Sequence, residues 1–68
     1  MKHQFENSTS ISSVEYEPET KVLTVEFKSG KSYSYADVPQ ETYDAFVNSQ
    51  SAGRFFQTYV KSVFKLTE

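Results

Sequence analysis

Over the first half of the chain, apolar and polar residues alternate with the period of half-buried ribbons. Ser12, Val14 and Tyr16 alternate with Ser13, Glu15 and Glu17, which predicts a strand from Ile11 to Glu17. Pro18-Glu19-Thr20-Lys21 fits a hairpin loop built on a type I turn, which sets Glu17 opposite Val22, Tyr16 opposite Leu23 and Val14 opposite Val25. A second strand then runs from Val22 to Phe27, with Leu23, Val25 and Phe27 on one face.

The following turn decides which way every side chain of the third strand points, because a slip of one residue turns them all over. A turn at Ser29-Gly30 would put Tyr33 against Glu26 and Tyr35 against Thr24, on the polar face, but Ser-Gly lacks the Asn or Asp that favours such a turn. The better fit is a longer loop in which Lys28 and Ser29 form a type I turn and Gly30 takes a left-handed bulge position that glycine adopts at no steric cost. Val25 then pairs with Tyr33 and Leu23 with Tyr35, so both tyrosines join the apolar face. Ser13, Glu15, Thr24, Glu26, Ser32 and Ser34 are left on the face that meets water.

Beyond the third strand the period changes to that of helices. Val38-Pro39 marks a helix start, since proline suits the first helical position and keeps the residue before it extended, and Glu41 adds a favourable charge there. Tyr43, Phe46 and Val47 follow at helical spacing before Asn48-Ser49-Gln50 ends the element. Ser51 is an N-cap candidate for a second helix, in which Phe56, Tyr59, Val60, Val63 and Phe64 form a wide apolar stripe. The expected fold class is α+β: a three-stranded antiparallel β-meander followed by two α-helices packed on one face, in the order β-β-β-α-α.

Length and composition sharpen this picture. With 68 residues there is room for one domain, expected over 11–68 behind a flexible N-terminal arm at 1–10. Five Tyr and six Phe supply the material of a core that has no disulfide to help it, because the chain lacks cysteine. Without thiolates, and with His3 as its one histidine, the sequence points to no metal site and no cofactor; a cytoplasmic location is the natural expectation. The segment before Ile11 has no apolar run of the kind a signal peptide or a membrane span needs. The chain has no activated nucleophile either, and its serines fall in turns or on the polar sheet face, so it reads as a non-enzyme with no evident small-molecule substrate.

Several motifs together resemble the KTSC domain family. They are Ser10-Ile11-Ser12-Ser13-Val14-Glu15-Tyr16, Val25-Glu26-Phe27 ahead of Ser29-Gly30, Tyr33-Ser34-Tyr35, Val38-Pro39 followed by Tyr43, Ser51-Ala52-Gly53-Arg54-Phe55-Phe56, and Val60-Lys61. The family is named for its occurrence at the C-terminus of some lysyl-tRNA synthetases and is also found as short free-standing bacterial proteins. Its function is not established; RNA binding has been suggested, and the resemblance implies that expectation and no more. Two positions depart from the pattern: Glu15 stands where glycine is expected, and Phe64 where tyrosine is usual. Glu15 places a negative charge on a surface that RNA would otherwise approach.

The formal charge of −2 argues against a surface that binds nucleic acid everywhere, so any such contact must be local. Arg54, Lys61 and Lys65 recur at spacings of seven and four, which on an α-helix makes a basic stripe, whereas Asp37, Glu41 and Asp44 give the first helix region the opposite sign. The same three cations are also what a solvated helix face looks like. Tyr33 and Tyr35 are the second candidate, since exposed sheet aromatics stack unpaired bases, but the favoured register sends both toward the core. The Ser51-Ala52-Gly53-Arg54 turn could meet a phosphate, or Gly53 could simply allow close packing where the two helices join. The expected partner is RNA, tRNA-like or single-stranded, met by the basic face of the second helix. The alternative is a protein partner, docked by Phe55, Phe64, the arm or a free sheet edge.

Overall fold

In the computed structural model, which describes residues 1–6 and 8–67, strands β1 (Lys2–Gln4), β2 (Ile11–Glu17), β3 (Val22–Phe27) and β4 (Ser32–Tyr35) form one antiparallel sheet in the order β1-β2-β3-β4. Helix α1 (Gln40–Val47) follows. After it comes α2 (Ala52–Phe55), which runs on as a π-helical segment (Phe56–Lys61). The three expected strands and two helices are present in the expected order, with one strand more.

Both hairpins have the registers read from the sequence. Glu17 pairs with Val22, Tyr16 with Leu23 and Val14 with Val25, while Val25 pairs with Tyr33 and Leu23 with Tyr35. Gly30 has φ 98°, a conformation that side chains disfavour, and its N–H donates to the Phe27 carbonyl at 3.0 Å. The Phe27 N–H in turn donates to the Lys31 carbonyl at 2.8 Å, which closes the loop.

Strict alternation fails in β2. The pairing shifts between Ile11, opposite Phe27, and Ser13, opposite Glu26, so Ser12 is the extra residue of a β-bulge. That one insertion brings Ile11 onto the same face as Val14 and Tyr16, and all three are buried. Ser13 departs from the expected wet face: it is buried and donates to the Glu26 carboxylate at 3.0 Å.

The arm is not a free tail. Lys2, His3 and Gln4 pair with Glu15, Val14 and Ser13, the Tyr16 N–H donates to the Met1 carbonyl at 2.6 Å, and the Phe5 N–H donates to the Ser12 carbonyl at 2.9 Å. The physical cause is the exposed row of backbone donors and acceptors along β2, which the arm saturates. Phe5 secures it by packing on Phe46, with ring centroids 5.6 Å apart.

The core lies between the sheet and the helices. Tyr16 stacks on Tyr43 at 5.4 Å, and its hydroxyl donates to the buried Val38 carbonyl at 2.5 Å, which ties the sheet to the entry of α1. Pro39, extended at ψ 154°, is the residue before α1 rather than its first. At the other end Asn48 and Ser49 satisfy open carbonyls, Asn48 Nδ2 donating to Asp44 at 2.8 Å and Ser49 Oγ to Phe46 at 2.7 Å.

The second helix differs most from expectation. From Phe56 to Lys61 each turn holds an extra residue, so the inward positions recur every fourth residue as Ala52, Phe56, Val60 and Phe64. Tyr59 and Val63, placed in the apolar stripe by α-helical spacing, are instead 56% and 63% exposed. The tail beyond the π segment lies along β4: Leu66 bridges to Tyr35, and the Thr67 N–H donates to the Ser34 carbonyl at 2.8 Å.

Candidate functional site

The fold separates the residues that the sequence grouped. Arg54 sits in the first turn of α2, behind Ser51, whose hydroxyl accepts the Arg54 N–H at 3.4 Å. Lys61 closes the π segment, whose widened turns carry it around the axis relative to Arg54, so seven residues no longer bring the two cations to one side. Lys65 lies past the helix end, in the stretch that runs along β4, where its carbonyl accepts the Ala36 N–H at 3.3 Å. All three side chains are exposed, but they do not form one helical stripe.

What the structure brings together is Lys61 and the two sheet tyrosines. A groove of about 410 Å³ between β4 and the π segment is lined by Tyr33, Tyr35, Phe27, Phe56, Lys61 and Leu66, among others. Tyr35 is core, 3% exposed, with its ring edge-on to Phe56 at 5.7 Å. Burial pushes its phenol above the ordinary 10.0, and neighbouring Tyr33 pushes it further, so it stays a neutral phenol. Tyr33 shares its face but stands at the start of β4, beside the loop, and it is 36% exposed. Phe27 braces it edge-on at 5.6 Å, which leaves part of the Tyr33 ring presented to the groove.

Arg54 lines two other hollows. One, of about 860 Å³, lies between the arm and the α1–α2 junction; its walls include His3, Gln4, Glu6, Ser10, Gln50 and Gln57. The other, of about 350 Å³, is bounded by Ser49, Gln50, Ser51, Phe55, Thr58 and Tyr59. Gly53 stands at the narrow point between arm and helix: a Cβ there would lie 2.7 Å from Ser10 Oγ. Its close neighbour is thus the connection between β1 and β2 and not the first helix.

Tyr59 is the residue that sequence reasoning missed. Its position in an apolar stripe reads as core, and only the π turn, which leaves no mark in residue type, brings it out. Phe55 and Phe64, considered as exposed docking aromatics, are partly buried against the core. Among the described residues no group of three or more metal-ligating side chains gathers, and no helix is long and apolar enough to cross a membrane.

An antiparallel sheet covered on one face by two short helices, with shallow grooves at the helix edges, defines a small α+β domain. The KTSC domain model matches residues 7–64, and the chain belongs to the KTSC domain family. It is similar to a KTSC domain protein from Yersinia pestis, whose crystal structure superposes with a TM-score of 0.89 at 28% identity over 100% of this chain and 94% of that one. It is 41% identical over 61 residues to an uncharacterized protein from Stutzerimonas stutzeri, covering 90% of this chain and 86% of the relative. It is also 40% identical over 55 residues to a lysine–tRNA ligase from Nostoc; that match covers 81% of this chain but only 10% of the ligase.

Proposed function

We propose that this domain is a small non-catalytic binding module for single-stranded or tRNA-like RNA in the cytoplasm, with the groove between β4 and the π segment as its contact. The observation that carries the reading is the meeting of a partly exposed ring, Tyr33, with a cation, Lys61, at one groove. An aromatic face stacks an unpaired base, worth about 1–3 kcal/mol, and an adjacent ammonium pairs with a phosphate of the same strand. The occurrence of a related domain within a lysine–tRNA ligase, an enzyme named for tRNA, supports the same reading. With a net charge of −2 the affinity is low and depends on local cations.

The test is a fluorescence titration of a labelled single-stranded RNA and a tRNA-like stem-loop at low and moderate salt. The wild type binds at low salt and weakens as salt rises. Lys61→Gln reduces the slope of log K against log salt by about 0.7, the share of one single-strand phosphate contact. Arg54→Gln/Lys61→Gln/Lys65→Gln abolishes detectable binding. Absence of wild-type binding to either probe at low salt would refute the proposal.

A protein partner is the second reading, favoured by one observation: the outer edge of β1 pairs with no other strand among the described residues. Binding through backbone pairing at that edge would change little with salt, which separates the two readings.

A further inference from the structure

The three hollows around the second helix share walls. The groove holding Tyr33 and Lys61 meets the hollow under the arm at Ser10, Gly53 and Gln57. That hollow meets the one beside Tyr59 at Ser49, Gln50, Ser51 and Arg54. Together they make a furrow that curls around the beginning of α2, with an exposed tyrosine and a cation at each end: Tyr33 with Lys61, and Tyr59 with Arg54.

The second pair arises from the π turn. The widened turn exposes 56% of Tyr59 while its ring stays braced on Phe55 at 4.9 Å, which in turn packs on Phe46 at 5.0 Å. A braced, exposed ring is a rigid platform, and it opens onto the hollow that Arg54 also lines. Isolated exposed aromatics are ordinary on protein surfaces. Here the ring shares a hollow with Arg54, and the hollow at the far end holds the same two kinds of residue, Tyr33 and Lys61.

We propose that Tyr59 and Arg54 form a second base-and-phosphate contact, so that one single-stranded RNA occupies the furrow from the Tyr33–Lys61 end to the Tyr59–Arg54 end; this rests on the RNA-binding reading above. Between the ends the walls offer the amides of Gln4, Gln50 and Gln57 and the hydroxyls of Ser10 and Ser49. Such groups meet ribose hydroxyls and base edges without demanding one sequence. Glu6 also lines this middle stretch and repels phosphate, so the strand turns its sugar and base edges toward the wall there and its phosphates outward. Ser10 and Gly53 close on one another, with no room for even an added methyl group, so the strand crosses from one flank to the other over this contact and not between them.

The experiment uses the intact chain and labelled oligouridine RNAs of about four and about twelve nucleotides, a range set by the site sizes of single-strand binders. Fluorescence anisotropy compares the wild type with Tyr59→Ala and Arg54→Gln, each first shown to be folded by circular dichroism. On the longer RNA, Tyr59→Ala lowers affinity roughly tenfold or more, because the linked second contact is lost. On the shorter RNA each variant costs no more than about twofold, since the Tyr33–Lys61 end still takes it. Arg54→Gln follows the same pattern with a smaller loss, and it keeps the tyrosine side chain in place. Unchanged affinity of both variants for the longer RNA, or equal losses on both RNAs, would overturn the furrow while leaving RNA binding intact. Failure of the wild type to bind either RNA at low salt would overturn both.

Discussion

Replacing Phe56 with alanine, set against the same change at Tyr59, tests the packing and the register of the second helix. Phe56 is 6% exposed and sits between two rings, edge-on to Phe27 at 5.2 Å and to Tyr35 at 5.7 Å. Truncating such a side chain loses its transfer energy and leaves a cavity, at a cost of about 3–5 kcal/mol. A domain of this length has a total stability of roughly 3–10 kcal/mol, so the loss removes about three-tenths of it at the least. At about 4–8 °C per kcal/mol the melting temperature falls by tens of degrees. Tyr59→Ala is the matched control. An unbroken α-helix would bury Tyr59 beside Phe56, and both changes would be severe; the π turn exposes Tyr59, which leaves about 0.5–1 kcal/mol for its contact with Phe55. Urea melts followed by far-ultraviolet circular dichroism measure both. A cost above about 2 kcal/mol for Tyr59→Ala would show that the helix keeps α-helical phase, and a cost below about 1 kcal/mol for Phe56→Ala would show that Phe56 is not packed between those two rings.

Gly30→Ala forces a side chain onto φ 98° and should cost about 1–2 kcal/mol in the same urea melts, although nothing lies within 4 Å of the added methyl; a neutral result would mean that the loop adopts another turn. Burial raises the phenol pKa of Tyr35, helped by Tyr33, and of Tyr43, helped by Asp44, above the ordinary 10.0. The folded state thus holds protons that the unfolded chain releases, so stability is complete below about pH 10 and is lost as pH rises through the raised values. Thermal melts across that range should show the fall, which Tyr35→Phe and Tyr43→Phe should reduce; no difference between variants and wild type would contradict it. Glu6→Gln should strengthen binding of the longer RNA by about two- to fivefold, as expected for removal of one exposed like charge, and a weakened titration would place the strand away from Glu6.

Residue pattern alone carried the meander because each of its decisions had a local physical signature. Gly30 singles out the loop in which a left-handed residue is needed, and that choice set Tyr33 and Tyr35 against Val25 and Leu23. Pro39 and the polar Asn48-Ser49 bounded α1 to within a residue or so. The fourth strand had no such signature. Lys2-His3-Gln4 is polar, and it pairs because the edge of β2 is open and Phe5 finds Phe46, both of which are facts of the assembled fold. The bulge at Ser12 is similar, since Ser12 and Ser13 suit either face and only the burial of Ile11 decides between them.

The candidate site was legible in its residues but not in their grouping, and the reason is a single turn of helix. A stripe at three- and four-residue intervals predicts Tyr59 as core and Arg54, Lys61 and Lys65 as one basic face, and both follow correctly from 3.6 residues per turn. One segment with a wider turn reverses both inferences together. The rotation that exposes Tyr59 also carries Lys61 away from Arg54, toward β4 and the partly exposed Tyr33. Two single cations, each beside an aromatic ring, replace one triple patch. On a chain of net charge −2 this arrangement changes what can be bound: separated cations hold no dense polyanion, but each can neutralise a phosphate where a neighbouring base is stacked. A single strand, whose bases are free to leave one another, meets both requirements at once, whereas a duplex offers phosphates without exposed base faces. On the RNA-binding reading proposed above, the π turn favours single strands and loops over paired RNA, and a regular helix would lose that preference.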